Sequence, residues 1–284
     1  MNNQTKSTGE TLETAVTRYI KADNGINYSY RIIGTGPGIP LVMLVHFTAT
    51  MDYWDPAVVN VLAKNRKVIV FNNRGVGKTD GQVADNVSQM STDAVSFIKA
   101  LGVNKVDLLG FSLGGFLAQE IAAYHPDLVN KVILAGSSAR GDGENLLKIV
   151  EEAFAKKDIA DVRQFLFFSP SEQSQAAGRE FIKRVTTRTI DRDPESGNEI
   201  FEAQAKAIVT WGATKDDDEF LKSIKKPVLI VQGSNDTMLP TDSSIHMYKV
   251  IKNAQLILYP DANHGSLFQY HESFTNAANF FLSH

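Results

Sequence analysis

The sequence predicts an α/β fold built on a mostly parallel, doubly wound sheet, with antiparallel strands at its N-terminal side and a helical cap inserted late in the chain. Three observations lead there: short apolar runs recur along the chain, helical patterns alternate with them, and one long connection carries helical patterns alone. Such alternation is what a parallel sheet demands, because each crossover must return the chain to the same end of the sheet.

The chain opens on Met1-Asn2-Asn3-Gln4-Thr5-Lys6-Ser7-Thr8-Gly9-Glu10, a polar stretch without the apolar segment of a secretory leader. Residues 1–14 therefore read as a flexible tail. Ala15–Lys21 and Ile26–Ile33 are β-rich, and Asp23-Asn24-Gly25 between them is a hairpin signal. Leu41–Val45, Lys67–Phe71, Lys105–Leu109, Lys131–Leu134, Pro227–Val231 and Gln255–Tyr259 follow as apolar runs. Their uniform apolarity suits strands covered on both faces. Asp55–Lys64, Asn86–Leu101, Leu113–Tyr124 and Asp242–Ile251 are the intervening helical patterns, and His271–Leu282 closes the chain. From Ala139 to Ser223 only helical stretches occur: Glu144–Lys156, Asp158–Phe168, Ser171–Thr187 and Asn198–Thr210. A structureless loop of that length does not belong in a compact domain. Residues 139–223 thus read as a cap over one end of the sheet, and 15–138 with 224–284 as the core domain.

The 284 residues include no cysteine, which excludes disulfides, thiolate metal sites and a cysteine nucleophile. With 29 basic and 32 acidic residues and no long run of either sign, the chain lacks the basic face that nucleic-acid binding needs. No apolar stretch approaches the roughly 20 residues of a membrane span. A cytoplasmic protein is expected, monomeric or homodimeric, whose partner is a small-molecule substrate.

The most informative segment is Val106-Asp107-Leu108-Leu109-Gly110-Phe111-Ser112-Leu113-Gly114-Gly115. It reads as a strand, then G-x-S-x-G, then an Ala- and Leu-rich helix. A serine nucleophile must stand clear of the sheet on a sharp strand-to-helix turn, and small neighbours are needed where chain passes close to chain. Ser112 is therefore the candidate nucleophile. The helix behind it aims N–H groups and the positive end of its dipole at the same point.

Such a serine needs a histidine on a loop that reaches it. His264 follows the run Leu256-Ile257-Leu258-Tyr259 on a loop containing Pro260, Asn263 and Gly265, at the carboxyl end of the last strand. That end carries the site in open α/β sheets. His125 and His271 fall at helix ends, His246 falls mid-helix and His284 is terminal, so each has a plainer role. The acid that orients the base is expected after a strand at the same edge. Val228-Leu229-Ile230-Val231-Gln232-Gly233-Ser234-Asn235-Asp236 supplies Asp236, which reads alternatively as a cap of the helix that follows. Asp261 is the nearest competitor, close to His264 in the chain but on a short spacing. The order is then Ser112, Asp236, His264.

With these residues in place, the chain from about Val16 onward resembles the α/β-hydrolase fold superfamily. The elbow Gly110-Phe111-Ser112-Leu113-Gly114-Gly115, Gln232-Gly233-Ser234-Asn235-Asp236 and Asn263-His264-Gly265 are similar to segments of small esterases, cofactor-free haloperoxidases and carbon–carbon bond hydrolases. Phe71-Asn72-Asn73-Arg74-Gly75-Val76-Gly77-Lys78-Thr79 resembles the family's D-x-R-G-x-G-x-S loop, with Asn72 in place of the aspartate and Thr79 in place of the serine; Arg74 reads as a structural brace. The family usually carries His-Gly after its third strand, followed by a residue whose N–H binds the oxyanion. Here the chain reads Leu44-Val45-His46-Phe47-Thr48. Counting back from Trp54 puts Val45-His46 on those positions and makes Phe47 the donor; if His46 matches the family histidine, Thr48 is the donor instead. Leu113 supplies the second N–H.

The resemblance implies acyl transfer through Ser112, with no metal and no organic cofactor, on small or medium carboxylic esters. Perhydrolase or haloperoxidase chemistry, or cleavage of a carbon–carbon bond, would use the same residues. A ligand receptor or regulator is the reading from a different class. Ser112 excludes relatives of this fold that use an aspartate nucleophile, such as haloalkane dehalogenases. Phe165, Leu166, Phe167, Phe168, Phe181, Ile182, Trp211 and Phe220 in the insertion supply apolar surface, either to a substrate pocket or to the packing of the cap helices on one another.

Overall fold

The computed structural model of the chain describes residues 10–142, 146–156, 161–215 and 218–284. Eight strands form one sheet: β1 (Arg18–Lys21), β2 (Asn27–Ile33), β3 (Leu41–Leu44), β4 (Val68–Phe71), β5 (Val106–Phe111), β6 (Val129–Ala135), β7 (Val228–Gly233) and β8 (Ala254–Tyr259). Their spatial order is β1-β2-β4-β3-β5-β6-β7-β8. β1 with β2, and β2 with β4, are antiparallel; every other neighbouring pair is parallel. The hairpin expected around Asp23-Asn24-Gly25 closes through the Ala22 N–H, which donates to the Ile26 carbonyl at 2.9 Å.

Every residue of β3, β4, β5 and β7 is buried. Side chains alternate across a strand, so burial throughout means that both faces are covered. The edge strands β1 and β8 are open instead. The covering helices of the core include α1 (Pro56–Leu62), α2 (Val87–Ala100) and α3 (Leu113–Tyr124). After β7 come α9 (Thr241–Val250), α10 (Ser266–Gln269) and α11 (His271–Ser283). Helix α1 packs on α11, and α2 on α3. Their starts follow capping chemistry: Asp55 accepts from Ala57 N at 2.9 Å with Pro56 in the first turn, and Asn86 accepts from Gln89 N at 2.8 Å.

The connection from β6 to β7 carries α4 (Leu146–Ala155), α5 (Val162–Phe167), α6 (Glu172–Val185), α7 (Asn198–Ala213) and α8 (Glu219–Ser223), and among its described residues no strand. The starts foreseen at Glu144 and Asp158 lie outside the described residues.

Buried charge ties this insertion to the N-terminal part of the chain. Arg31 on β2 is fully buried and donates to Asp52 at 2.6 Å and to Thr17 at 3.1 Å. The other Asp52 oxygen accepts from Asp193 N, between α6 and α7, at 2.6 Å. Burial pushes the Asp52 carboxyl up, but its hydrogen bond to Arg31 and that guanidinium's charge hold it below the ordinary carboxylate value. Arg188 Nη1 donates to the carbonyls of Leu12, Glu13 and Ala15 at 3.1, 3.0 and 3.0 Å.

These last bonds correct the tail expected over residues 1–14. Leu12 is buried, its N–H donates to Asn60 at 2.8 Å, and Ala15 N closes a turn onto Thr11 O at 2.8 Å. The carbonyls of this polar-looking stretch are captured by an arginine far along the chain, which local composition does not reveal. Met1–Gly9 lie outside the described residues. No helix among the described residues is long and apolar enough to cross a membrane.

Removing one partner from a buried ion pair leaves the other charge uncompensated. Arg31→Ala is therefore expected to lower unfolding stability by about 3–5 kcal/mol in urea titrations. A midpoint equal to wild type would show that this cluster contributes nothing to stability.

Candidate active site

The site begins where β5 becomes α3. Ser112 has φ 55° and ψ −120°, a strained conformation for a residue with a Cβ, costing on the order of 1–3 kcal/mol. Two glycines permit the turn. A Cβ on Gly110 would lie 2.2 Å from the Gly114 carbonyl oxygen, and one on Gly114 only 2.0 Å from the Leu44 carbonyl oxygen. Any other residue at either position would force the elbow open. This contact presses the first turn of α3 against the end of β3, and Leu113 N–H at that turn has no carbonyl within its own helix to bond.

Two neighbouring strands deliver the other candidates to the same edge. Asp236 follows β7 and His264 follows β8. His264 Nδ1 lies 2.8 Å from Asp236 Oδ2, with both side chains buried. Asp236 Oδ1 accepts from Met238 N at 2.9 Å and Leu239 N at 3.0 Å, and Oδ2 accepts from Gln232 Nε2 at 2.9 Å. A carboxylate surrounded by donors takes the imidazole N–H at Nδ1, which leaves Nε2 as the acceptor. Nε2 is buried and makes no hydrogen bond with the described residues. Asp236 therefore both caps the turn that follows it and holds the histidine. Asp261 is engaged elsewhere, with the Ser171 hydroxyl.

Ser112 and His264 line one cavity of about 380 Å³. Phe47 lines it too. The two readings of the loop after β3 now differ in context. Thr48 N–H donates to Gln204 Oε1 at 2.6 Å, which occupies it, whereas no oxygen of the described residues accepts from Phe47 N–H. Phe47 and Leu113 are thus the candidate oxyanion donors this geometry favours.

The loop from Phe71 to Thr79 stays away from the cavity. Asn72 Oδ1 accepts from Met51 N at 2.7 Å, its Nδ2 donates to Ser29 Oγ at 2.9 Å, and Thr79 Oγ1 donates to the Asn72 carbonyl at 3.1 Å. Arg74 reaches Asp93 at 3.7 Å. These contacts brace β2, β4 and the 3-10 turn Met51–Tyr53.

The far wall of the cavity comes from the insertion, through Val150, Val162 and Phe201 as well as two of the apolar residues singled out from the sequence. Leu166 and Phe167 line it. Phe168 and Phe181 are core residues, 5.6 Å apart between ring centroids. Trp211 stacks on Phe116 at 4.8 Å, Phe220 lies under the Arg140 guanidinium at 3.6 Å, and Phe165 is exposed.

Sequence reasoning missed Tyr53, Asp161 and Arg163 in the lining. Asp161 caps α5 and binds Arg163 through Nε at 2.9 Å and through Nη2 at 2.5 Å, while the guanidinium lies 4.5 Å from the centre of the Tyr53 ring. The His46 side chain also lines the cavity, held among Phe111, Phe167 and Tyr53 with ring centroids at 5.1, 5.3 and 6.3 Å. Burial, then the nearby charges of His264 and Arg163, push its pKa down to about 3, so this imidazole is neutral. No local signal marks Tyr53, Asp161 and Arg163, because segments distant in the chain bring them together; His46 belongs to the loop after β3 that the sequence already placed at the site.

Comparison with known proteins agrees with this architecture. A family profile described as the alpha/beta hydrolase fold matches residues 39–269. An alpha/beta hydrolase fold protein from Chitinophaga pinensis, of known structure, is 40% identical; the match covers 96% of this chain and 99% of that one, with a TM-score of 0.92. The 2-hydroxy-6-oxo-6-(2'-aminophenyl)hexa-2,4-dienoic acid hydrolase of Metapseudomonas resinovorans is 24% identical, over 100% of this chain and 97% of its own. Serine hydrolase BPHL of Homo sapiens is 24% identical, over 95% and 87%.

The depressed pKa of His46 has a consequence for stability. Between its ordinary value of 6.5 and about 3, the unfolded chain binds a proton at this residue that the folded chain refuses. The stability this residue contributes is therefore full above pH 6.5 and is lost as pH falls below it, by up to about tenfold in the folding equilibrium per pH unit. Urea titrations at pH 7 and pH 5 are expected to show a smaller acid loss for His46→Gln than for wild type. Equal losses would place a freely titrating imidazole at this position.

Proposed function

Since the chain belongs to the α/β-hydrolase family, we propose that it is a serine hydrolase acting through an acyl-enzyme on small or medium carboxylic esters. The observation that carries this reading is the buried Asp236–His264 hydrogen bond, which leaves the second imidazole nitrogen free beside the cavity that Ser112 lines.

Ser112 Oγ attacks the ester carbonyl carbon while His264 Nε2 takes its proton. Asp236 keeps the imidazole in the tautomer that can accept and stabilises the imidazolium. The carbonyl oxygen, now negative, is bound by the N–H groups of Phe47 and Leu113, each such donor being worth roughly 3–4 kcal/mol in the transition state. As the tetrahedral intermediate collapses, the alcohol leaves with the proton from His264. Water then attacks the acyl-enzyme, His264 takes a proton from it, and the acid is released with Ser112 restored. A cavity of about 380 Å³ lies at the small end of ligand pockets, which supports small or medium substrates. In this reading residues 139–223 act as the cap that selects them, chiefly through α5 and the segment that leads into α7.

The full-length similarity to the dienoic acid hydrolase of Metapseudomonas resinovorans favours one second reading, hydrolysis of a carbon–carbon bond by the same residues. A panel of esters, lactones and vinylogous diketones assayed on the purified protein separates the two.

Ser112→Ala is expected to abolish fluorophosphonate labelling and to cut p-nitrophenyl butyrate hydrolysis by about 10⁴-fold or more, with the fold intact by circular dichroism. Near wild-type turnover would remove Ser112 as the nucleophile. His264→Ala should lose activity by several orders of magnitude; full activity there would mean that a different base serves the reaction.

A further inference from the structure

We propose that His46 reads the alcohol half of the ester: its imidazole hydrogen-bonds a second oxygen carried beside the scissile ester oxygen, so that monoesters of vicinal diols are preferred over simple alkyl esters. The inference rests on the serine-hydrolase reading and deepens it.

The first observation is chemical. His46 is nearly buried, lines the cavity, and makes no hydrogen bond through either ring nitrogen with the described residues; its neighbours are the rings of Phe111, Phe167 and Tyr53. Aromatic edges hold the imidazole in place without taking up its donor or acceptor. Neither ring nitrogen is sealed from solvent, so both are open to a ligand in the cavity that His46 lines. By position in the loop, His46 stands where the resembling family usually has glycine. The cavity therefore contains an imidazole that the oxyanion loop does not itself require.

The second observation places it. In the proposed reaction the leaving alcohol takes its proton from His264, so that half of the substrate lies against the His264 ring. His46 and His264 flank the same two phenyl rings. Phe111 is 5.1 Å from each, and Phe167 is 5.3 Å from His46 and 5.8 Å from His264. Both residues also line the same cavity, and the proposal takes the leaving alcohol to lie between their imidazoles.

The third observation sets the chemistry of the group. A neutral imidazole offers one donor and one acceptor, the pair that a hydroxyl complements. Arg163, the cation in the same lining, has its charge compensated by the paired Asp161, and Glu195 at the cavity accepts from the Tyr53 hydroxyl. An anionic leaving group therefore gains little, and a neutral oxygen gains most.

The test compares 2-hydroxyethyl butyrate with propyl butyrate, which match in size and differ by one hydroxyl, as the ratio of their kcat/KM values. Wild type is expected to favour the hydroxyethyl ester by about tenfold, equivalent to about 1.4 kcal/mol. His46→Phe keeps a ring without nitrogens and should bring the ratio to about one. His46→Gln keeps a donor and an acceptor and should retain part of the preference. Because the readout is a ratio within each variant, a general loss of turnover does not imitate the result. A wild-type ratio near one, or an undiminished ratio in His46→Phe, overturns the proposal. Fluorophosphonate labelling of wild-type Ser112 is scored separately: its absence defeats the underlying reading, whereas labelling with a ratio near one defeats only the role of His46.

Discussion

Helix α3 starts so close to the end of β3 that one methyl group on Gly114 would collide with the Leu44 carbonyl. Much of the site follows from that contact. It forces the chain through a left-handed turn at Ser112, lifts the hydroxyl clear of the sheet, and brings the free N–H at the start of the helix beside the loop that follows β3. The strain at Ser112 persists because the surrounding sheet is buried on both faces and does not yield. The parallel order of β3, β5, β7 and β8 then places the loops after all four strands at one edge, where Phe47, Ser112, Asp236 and His264 assemble.

The insertion contributes differently. It is anchored by polar bonds between distant segments: Asp193 to Asp52, Arg188 to the carbonyls before β1, and Gln204 to Thr48. The last of these also decides the chemistry of the loop after β3, since occupying the Thr48 N–H leaves that of Phe47 for a ligand. A single hydrogen bond thus joins helix α7 to the loop that carries the candidate oxyanion donor Phe47. On the cavity wall Asp161 is paired with Arg163, while Glu195 accepts from the Tyr53 hydroxyl.

Much of the fold was legible because its signals are local. A strand buried on both faces must be apolar at every position, and a helix start needs a cap such as Asp55 or Asn86; both are properties of a few consecutive residues. The elbow was legible for the same reason: Gly110, Ser112 and Gly114 must lie at fixed spacing for the turn to exist. Asp236 and His264 could be nominated because each follows an apolar strand on a loop. The packing of Leu12 and the Arg188 bonds were not legible, since an arginine that captures carbonyls more than 170 residues away leaves no mark on either segment.

By itself, the sequence determined the alternation of strands and helices, the elbow, and which residue types could do acid–base work at the sheet edge, because these depend on chemistry held within short windows of chain. Only the tertiary structure decided that the His46 ring stands in the cavity, that Thr48 rather than Phe47 is occupied, and that of the insertion's apolar residues singled out beforehand Leu166 and Phe167 face the cavity while others fill the core. The physical reason is the same in each case: which of several chemically equivalent groups meets a partner depends on packing between segments far apart in the chain, and periodicity or composition carries no record of it.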